Sequence, residues 1–256
     1  MNWNRTKTIF IITFLFLNIF LTWQLIDKNN SNQMNMIAQA TIQEVLRDNN
    51  VRIDVELPEE TISAGHVLGK TVPFSERQMS ALSNQEAELV DGTTIISTLD
   101  EPVPLREGQF SQDLSQFLNS YVTNGNEYRF GRFDTEERQV LLQQTYEEKT
   151  AHAFEAEPLL LQLNEDGEIV GYQQSYYEFE PTGREREVLS SIKAIEVLLN
   201  AQYIGVNNTV THVEFGYYSF YSPQGGAQVF APMWRVTVEG ETYLVHAINP
   251  EIQQLS

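Results

Sequence analysis

The chain contains no cysteine, and this absence excludes disulfides, cysteine-ligated metal centres and a cysteine nucleophile. Histidine is scarce as well, with 4 residues in 256, so catalysis by histidine has few candidates. Basic residues are outnumbered, 16 Lys and Arg against 35 Asp and Glu, and the net charge is −19. Because affinity for nucleic acid comes from basic side chains that neutralise phosphates, we expect no nucleic-acid partner. The composition predicts an acidic, thiol-free protein that is not an enzyme.

One long hydrophobic run lies near the N-terminus. Residues 8–26 carry no charged side chain, and about 19 residues at a rise of ~1.5 Å span roughly 28 Å, close to the hydrocarbon thickness of a bilayer. Arg5 and Lys7 precede the run and no acidic residue does, so we expect residues 1–7 to stay in the cytoplasm. The sequence therefore predicts a single-pass anchor in the cell membrane, with an extracellular C-terminal region.

Two other interpretations of this run compete with an uncleaved anchor. A cleaved signal peptide needs a shorter apolar core followed by a small-x-small cleavage site, and residues 22–33 offer no such site. A buried core helix is the third possibility. The anchor is the interpretation that the length and the flanking charges favour.

Two polar residues interrupt the apolar anchor. Asn18 and Thr22 are four positions apart and therefore share one face of a helix. Polar groups in hydrocarbon favour contact with another helix, worth about 0.5–2 kcal/mol each. Together with Leu15, they form the predicted contact surface for the membrane helix of a partner. The alternative is that an anchor tolerates them without any contact.

The outer region is predicted to consist of a stalk and two α+β units. With Arg5 and Lys7 inside, 14 basic and 35 acidic residues remain outside, a net charge of −21, which repels anionic lipid headgroups. Residues 27–50 are the stalk, with a flexible spacer over 27–35 and a helix over 36–47. Residues 51–180 and 181–256 are each expected to place a helix on an antiparallel sheet.

The first unit begins with an alternating strand over 51–55. A helix is expected over 112–123, capped by Ser111 and ended by a left-handed Gly125. Residues 135–146 fit a strand and a helix almost equally. The sequence Gln-Gln-Thr-Tyr at 143–146 returns as Gln-Gln-Ser-Tyr at 173–176, which favours two strands of one sheet and hence a strand over 139–146.

The second half of the chain contains clearer signals. A hairpin turn is expected at 164–168, between strands over 159–163 and 169–179. Thr182 and Glu185 have the spacing of a capping box, which predicts a helix from Thr182 to Asn200. Three further strands are expected over 211–221, 229–238 and 242–248.

Patterns that resemble catalytic motifs are all incomplete. Ser190 and Lys193 match S-x-x-K of penicillin-binding proteins, but we expect them inside a helix, and S-D-N is absent. His212 and Glu214 match half of a zinc deaminase signature whose other half needs cysteine. The many carboxylates allow a glycosidase pair or a weak calcium site, yet their spacing identifies neither. We therefore predict no catalytic residue, no cofactor and no metal site.

Several segments taken together resemble the YycI (WalI) family of Gram-positive bacteria. The most specific of them is Val229–Val236, with the sequence VFAPMWRV, near the end of the chain. The others, in chain order, are Trp3–Phe10, Leu57–Pro58, Tyr172–Tyr176, Lys193–Glu196 and Gly216–Tyr218. They span residues 3 to about 252, and none of them is a catalytic motif.

The resemblance implies a regulatory protein. YycI proteins are single-pass membrane proteins that act with the related YycH on the sensor histidine kinase WalK (YycG), whose system controls cell-wall metabolism. The resemblance attributes the kinase contact to the membrane helices and the YycH contact to the outer domains. It leaves open the sign of the regulation, the stimulus, the stoichiometry and the outer surface that binds the partner. A weaker similarity of the second unit to PepSY-like modules offers an alternative, an extracytoplasmic inhibitor of a wall hydrolase or protease.

Overall fold

The helices and strands are those of a computed structural model that describes residues 3–58, 62–154, 156–221 and 227–255, with side chains of the first helix described for 7–25 and 42–48. The described helices are α1 (Trp3–Asp48), α2 (Glu76–Ala81), α3 (Phe110–Tyr121) and α4 (Ser191–Asn200). The described strands are β1 (Arg52–Ile53), β2 (Ser63–Thr71), β3 (Gln85–Val90), β4 (Thr94–Pro104), β5 (Tyr128–Asp134), β6 (Gln139–Tyr146), β7 (Lys149–His152), β8 (Leu159–Leu163), β9 (Glu168–Ser175), β10 (Tyr177–Glu187), β11 (Thr209–Tyr218), β12 (Ala227–Val238), β13 (Glu241–His246) and β14 (Ile252–Leu255). The α+β class is confirmed.

The first helix is continuous over 46 residues, which corresponds to about 69 Å at a rise of ~1.5 Å per residue. Its segment Lys7–Leu25 has a mean hydropathy of 1.9, is exposed throughout, and is the one described helix long and apolar enough to cross a membrane. The prediction of a flexible spacer over 27–35 is wrong, because these residues lie within the helix. No proline or glycine occurs before Pro58, so no residue there breaks the helix despite the polar side chains.

The described strands form one hydrogen-bonded network that is mainly antiparallel. Its central path runs β10-β2-β12-β11-β7-β6-β8-β9-β4-β3. The pairings of β1 and β7 with β11 are parallel. Outside this path, β5 pairs with β6, while β13 pairs with β12 and β14.

Two large hydrophobic cores lie against this network, together with a small third cluster of Tyr218, Met233 and Leu244. The α4 core contains Ile195, Trp234 and Phe230 as fully buried side chains, and the α3 core is centred on Phe117 and Tyr128. The α3 core includes side chains of α3, and the α4 core includes side chains of α4 together with Ile42 and Leu46 of α1. The division into units over 51–180 and 181–256 stays a prediction. However, β2 falls in the segment 51–180 and yet contributes to the α4 core, because it pairs with β12 and β10.

The predicted helix start at Thr182 is wrong. Residues 177–187 form β10, and α4 begins only at Ser191, with Ser190 as an N-cap that makes no side-chain capping bond. The strand β2 supplies main-chain partners for this segment, with Thr182 opposite His66, and a bulge follows in which Gly183 has a φ of +84°. Pairing with a distant strand thus replaces the local capping interaction.

The helix α3 agrees with its prediction in position, but its ends differ. Ser111 lies inside the helix rather than at its cap. The left-handed residue after the helix is Asn124, with a φ of 52°, rather than Gly125. Gly125 is required for a different reason, because a Cβ there would lie 1.9 Å from the carbonyl oxygen of Leu118.

The strand interpretation of 139–146 is confirmed, since β6 has these bounds. The two repeated segments lie in β6 and β9, which belong to the same sheet with β8 between them. The hairpin turn between β8 and β9 is also confirmed. The strand expected over 51–55 shrinks to the two residues of β1, which pair with the edge of β11.

Candidate partner-binding site

The predicted membrane contact surface lies on the exposed apolar part of α1. Leu15, Asn18 and Thr22 are all exposed and, at helical spacing, share one face of it. The Asn18 side-chain amide donates to the carbonyl oxygen of Phe14 at 2.9 Å, and the Thr22 hydroxyl donates to that of Asn18 at 2.8 Å. An asparagine amide has a second N–H donor and a carbonyl acceptor, so these bonds leave it capacity for a neighbouring helix.

Of the two basic residues before the apolar run, the structure describes the side chain of Lys7 but not that of Arg5. Lys7 begins the apolar segment Lys7–Leu25. The side chain of Arg5 lies outside the described part of the structure. Their predicted role in orientation therefore rests on their position before the apolar run.

The C-terminal end of α1 is embedded in the folded region. Ile42 and Leu46 are only 4% and 3% exposed and belong to the α4 core, whereas Val45 on the same turn is 41% exposed. Asn50, just after the helix, donates from its side chain to the Asn207 side chain. One continuous helix therefore connects the apolar segment to the α4 core.

A polar cluster covers the face of β11 opposite the α4 core. The Glu214 carboxylate accepts a hydrogen bond from the Thr150 hydroxyl at 3.0 Å and lies 3.2 Å from the His212 ring and 3.9 Å from the Arg235 guanidinium. Thr150 on β7 and Arg235 on β12 thus approach Glu214 from the two adjacent strands, while His212 lies on the same strand as Glu214. The cluster therefore has the character of a structural network between strands.

His152 lies beside this cluster and stacks on Tyr218, with ring centroids 4.2 Å apart. Burial, assisted by the positive charge of Arg235, lowers the pKa of His152 to about 4. The Nε2 atom of His152 is buried without a hydrogen-bond partner among the described residues. This histidine is therefore neutral at physiological pH and is held mainly by stacking.

The S-x-x-K residues lie in a different place from the one expected. Ser190 is the N-cap of α4 rather than an interior residue, because the helix starts later than predicted. The neighbouring Ser191 hydroxyl is buried and donates to the carbonyl oxygen of Pro58 at 3.0 Å, which ties the helix start to the segment before β2. Among the described residues, no three His, Asp or Glu side chains are grouped so that they would hold a metal ion.

A groove of about 1000 Å³ lies between α3 and β5. Its apolar lining includes Leu105, Phe110, Leu114, Leu118, Phe130, Phe133 and Leu163. Phe110 and Phe130 meet edge to face across it, with ring centroids 5.3 Å apart. Sequence reasoning missed this groove, although the apolar stripe of α3 and the alternation in β5 were both visible. We call it the α3–β5 groove.

Comparisons with known proteins give one family and several distant structural similarities. The YycI protein family matches residues 29–248, and no curated protein matches the sequence. An uncharacterized protein from Eubacterium rectale is similar over 80% of this chain and 86% of its own, at 12% identity and a TM-score of 0.43. YycH from Bacillus subtilis is similar over 73% of this chain and 53% of its own, at 12% identity and a TM-score of 0.42. The chain thus spans about half the length of that YycH structure, and the family match includes both cores.

Proposed function

The chain belongs to the YycI family of regulatory proteins, and we propose that it modulates a WalK-type sensor histidine kinase together with a YycH-type partner. The observation that supports this role best is the continuity of α1. It extends from the apolar segment to Ile42 and Leu46, which are buried in the α4 core. A displacement of the outer region therefore moves the membrane segment with it.

We place the N-terminus in the cytoplasm and the outer region on the extracellular side. The positive charges of Arg5 and Lys7 before the apolar segment support this orientation. The outer region then carries a net charge of −21, and repulsion from anionic headgroups keeps it away from the membrane surface. This leaves its surface accessible to another extracellular domain.

The proposed mechanism is a differential contact between membrane helices. A sensor kinase whose two signalling states differ by a few kcal/mol is shifted by a partner that binds one state better. The face formed by Leu15, Asn18 and Thr22 provides an apolar surface with two polar groups. Contacts of this kind contribute about 0.6–2 kcal/mol each, which is enough to change the populations of such states.

A helix exchange tests this function. Residues 9–26 are replaced by a leucine–alanine membrane helix of equal length, and kinase output is measured in cells with a reporter for the response regulator. We expect regulation to be lost while the amount of protein in the membrane is unchanged. A matched variant retains Leu15, Asn18 and Thr22 within the same leucine–alanine helix, and it should recover much of the regulation. Full regulation by the unmatched helix would contradict the proposal.

A further inference from the structure

The strand β5 is an open edge of the sheet beside the α3–β5 groove. Within the described residues it pairs with β6 alone. The N–H of Tyr128 donates to the carbonyl oxygen of Gly125, so this residue directs its main chain away from β6. A register shift between Phe130 and Arg132 interrupts the β5–β6 pairing. Because hydrogen-bonding residues alternate on each side of it, β5 presents further main-chain groups on its outer side.

The helix α3 forms the opposite wall of the groove. Phe110 at its start contacts Phe130, and Leu118 near its end lies against Gly125, just before β5. The helix and the strand therefore run in opposite directions along the groove. Seven strand residues correspond to about 23 Å, and twelve helical residues to about 18 Å. An extended peptide of about seven residues matches this length.

The lining of the groove is mostly uncharged, with Glu107 and Arg129 as its two charged residues, although 20% of the residues of the chain are charged. The one charged residue of α3 is Asp113, which is buried and paired with Arg106. Phe130 and Phe133 are each 47% exposed, although they are large apolar side chains. Depletion of charge together with exposed aromatic rings is typical of the centre of a protein–protein interface.

Arg129 is the one basic residue among the described residues that line the groove, and it lies at one end. The Arg129 guanidinium donates to the carbonyl oxygens of Asn126 and Tyr128 at 2.8 and 3.0 Å. No carboxylate in the described part of the chain lies within ion-pair distance of it. An occupant with a carboxylate at this end complements the site. A second copy of this chain does not, because two outer regions of net charge −21 repel each other.

We propose that the α3–β5 groove binds an extended segment of a partner protein, which adds a strand to β5, places alternate apolar side chains against α3 and directs a carboxylate to Arg129. In this mode of recognition, the main-chain bonds to the strand edge provide affinity, and the side-chain pockets provide specificity. The inference does not depend on the proposed kinase contact, which lies on α1.

The test uses the full chain in nanodiscs of neutral phosphatidylcholine, panned against a phage library of random octapeptides, with empty nanodiscs as counter-selection. We expect enriched sequences in which apolar residues alternate and an acidic residue lies near one end. An enriched peptide, labelled and titrated, should protect amides of residues 128–134 from hydrogen exchange. A basic consensus, an absence of enrichment or protection elsewhere in the chain would overturn the proposal.

Variants connect this binding to the groove. Ser115→Trp fills the groove from α3, where Ser115 is exposed and lines it, and should weaken the enriched peptide at least tenfold. Ser120→Trp is the matched control, since Ser120 is exposed on α3 but outside the lining, and it should bind as the parent chain does. Arg129→Gln should weaken the peptide about fivefold, and the loss should disappear when the acidic residue of the peptide is replaced by its amide.

Two further outcomes would contradict the proposal, one for the binding site and one for the occupant. If Ser115→Trp binds the peptide like the parent chain, the groove is not the site. If mass photometry finds two chains per complex, with the contact abolished by Ser115→Trp, the occupant is a second copy and the proposed partner is wrong. Neither result depends on kinase regulation, because the experiment contains no kinase.

Discussion

Arg106 binds the carboxylate of Asp113 through both its guanidinium group and its main-chain N–H. Its Nε donates to Oδ2 at 2.9 Å, its main-chain N–H donates to the same oxygen at 2.9 Å, and a terminal guanidinium nitrogen donates to Oδ1. Asp113 is 6% exposed and lies in the first turn of α3, where a negative charge is also favoured by the helix dipole. This pair fixes the start of α3 against the chain that leaves β4, and hence one wall of the α3–β5 groove.

The Arg106–Asp113 pair predicts an acid-sensitive helix start. Hydrogen bonds from Arg106 lower the pKa of Asp113 to about 2. Because the pKa is depressed in the folded state, the stabilisation is complete above the pKa of a free aspartate, about 4, and is lost as pH falls to about 2. We expect Asp113→Asn to unfold at a lower temperature than the parent chain at pH 7, by circular dichroism in detergent. The difference should shrink between pH 4 and pH 2, and a constant difference would contradict this assignment.

His152 predicts a second pH dependence, of a different origin. Its folded pKa of about 4 lies below the value of about 6.5 for a free histidine. Between these values the unfolded chain binds a proton that the folded chain does not, so stability falls by about 3 kcal/mol as pH decreases from 6.5 to 4. His152→Gln should remove this part of the pH dependence of unfolding. His212→Gln changes a partly exposed histidine and should retain it.

The buried end of α1 predicts that this helix stabilises the folded region that contains the α4 core. Leu46→Ala should reduce the free energy of unfolding by about 2–5 kcal/mol, since it removes a buried side chain from the α4 core. Val45→Ala, one residue earlier and 41% exposed, should change it by less than about 0.5 kcal/mol. The measurement is denaturant unfolding of the full chain, followed by tryptophan fluorescence. Equal effects would mean that α1 does not pack into the core.

The close approach of Gly125 to the carbonyl oxygen of Leu118 predicts that this position tolerates no side chain. Gly125→Ala introduces a Cβ 1.9 Å from the carbonyl oxygen of Leu118, so the chain must shift between α3 and β5, at a cost of about 1–3 kcal/mol or more. Gly108→Ala is the control, because nothing lies within 4 Å of its added Cβ. Thermal unfolding should separate the two variants clearly, and a parent-like melting temperature for Gly125→Ala would refute the close approach.

Asn18 predicts a specific effect within the membrane. Asn18→Leu should weaken the association with the kinase by about 0.5–2 kcal/mol, because one polar contact between helices is lost. Phe20→Leu is the matched control, since two helical positions rotate the side chain to the opposite face. In vivo crosslinking of the full chain in native membranes, quantified by mass spectrometry, measures the association. An unchanged yield for Asn18→Leu would show that Asn18 makes no important contact.

Several elements were predictable because their signals are local. The uncharged run of residues 8–26 is long enough for a membrane span, whatever the rest of the chain does. The alternation of apolar residues and the turn at 164–168 were sufficient for β8 and its hairpin with β9. The position of α3 followed from its apolar stripe, and the family resemblance followed from segments such as Val229–Val236, since both are properties of neighbouring residues.

Other features were decided only by the tertiary structure. Thr182 and Glu185 have a capping-box spacing, yet β2 pairs with this segment from more than a hundred residues away, and its main-chain bonds prevail. The burial of β2 in the α4 core and the α3–β5 groove likewise depend on which distant strands are neighbours. A sequence pattern reports the preferences of adjacent residues, whereas strand register and the surfaces left open beside an edge strand are set by non-local packing.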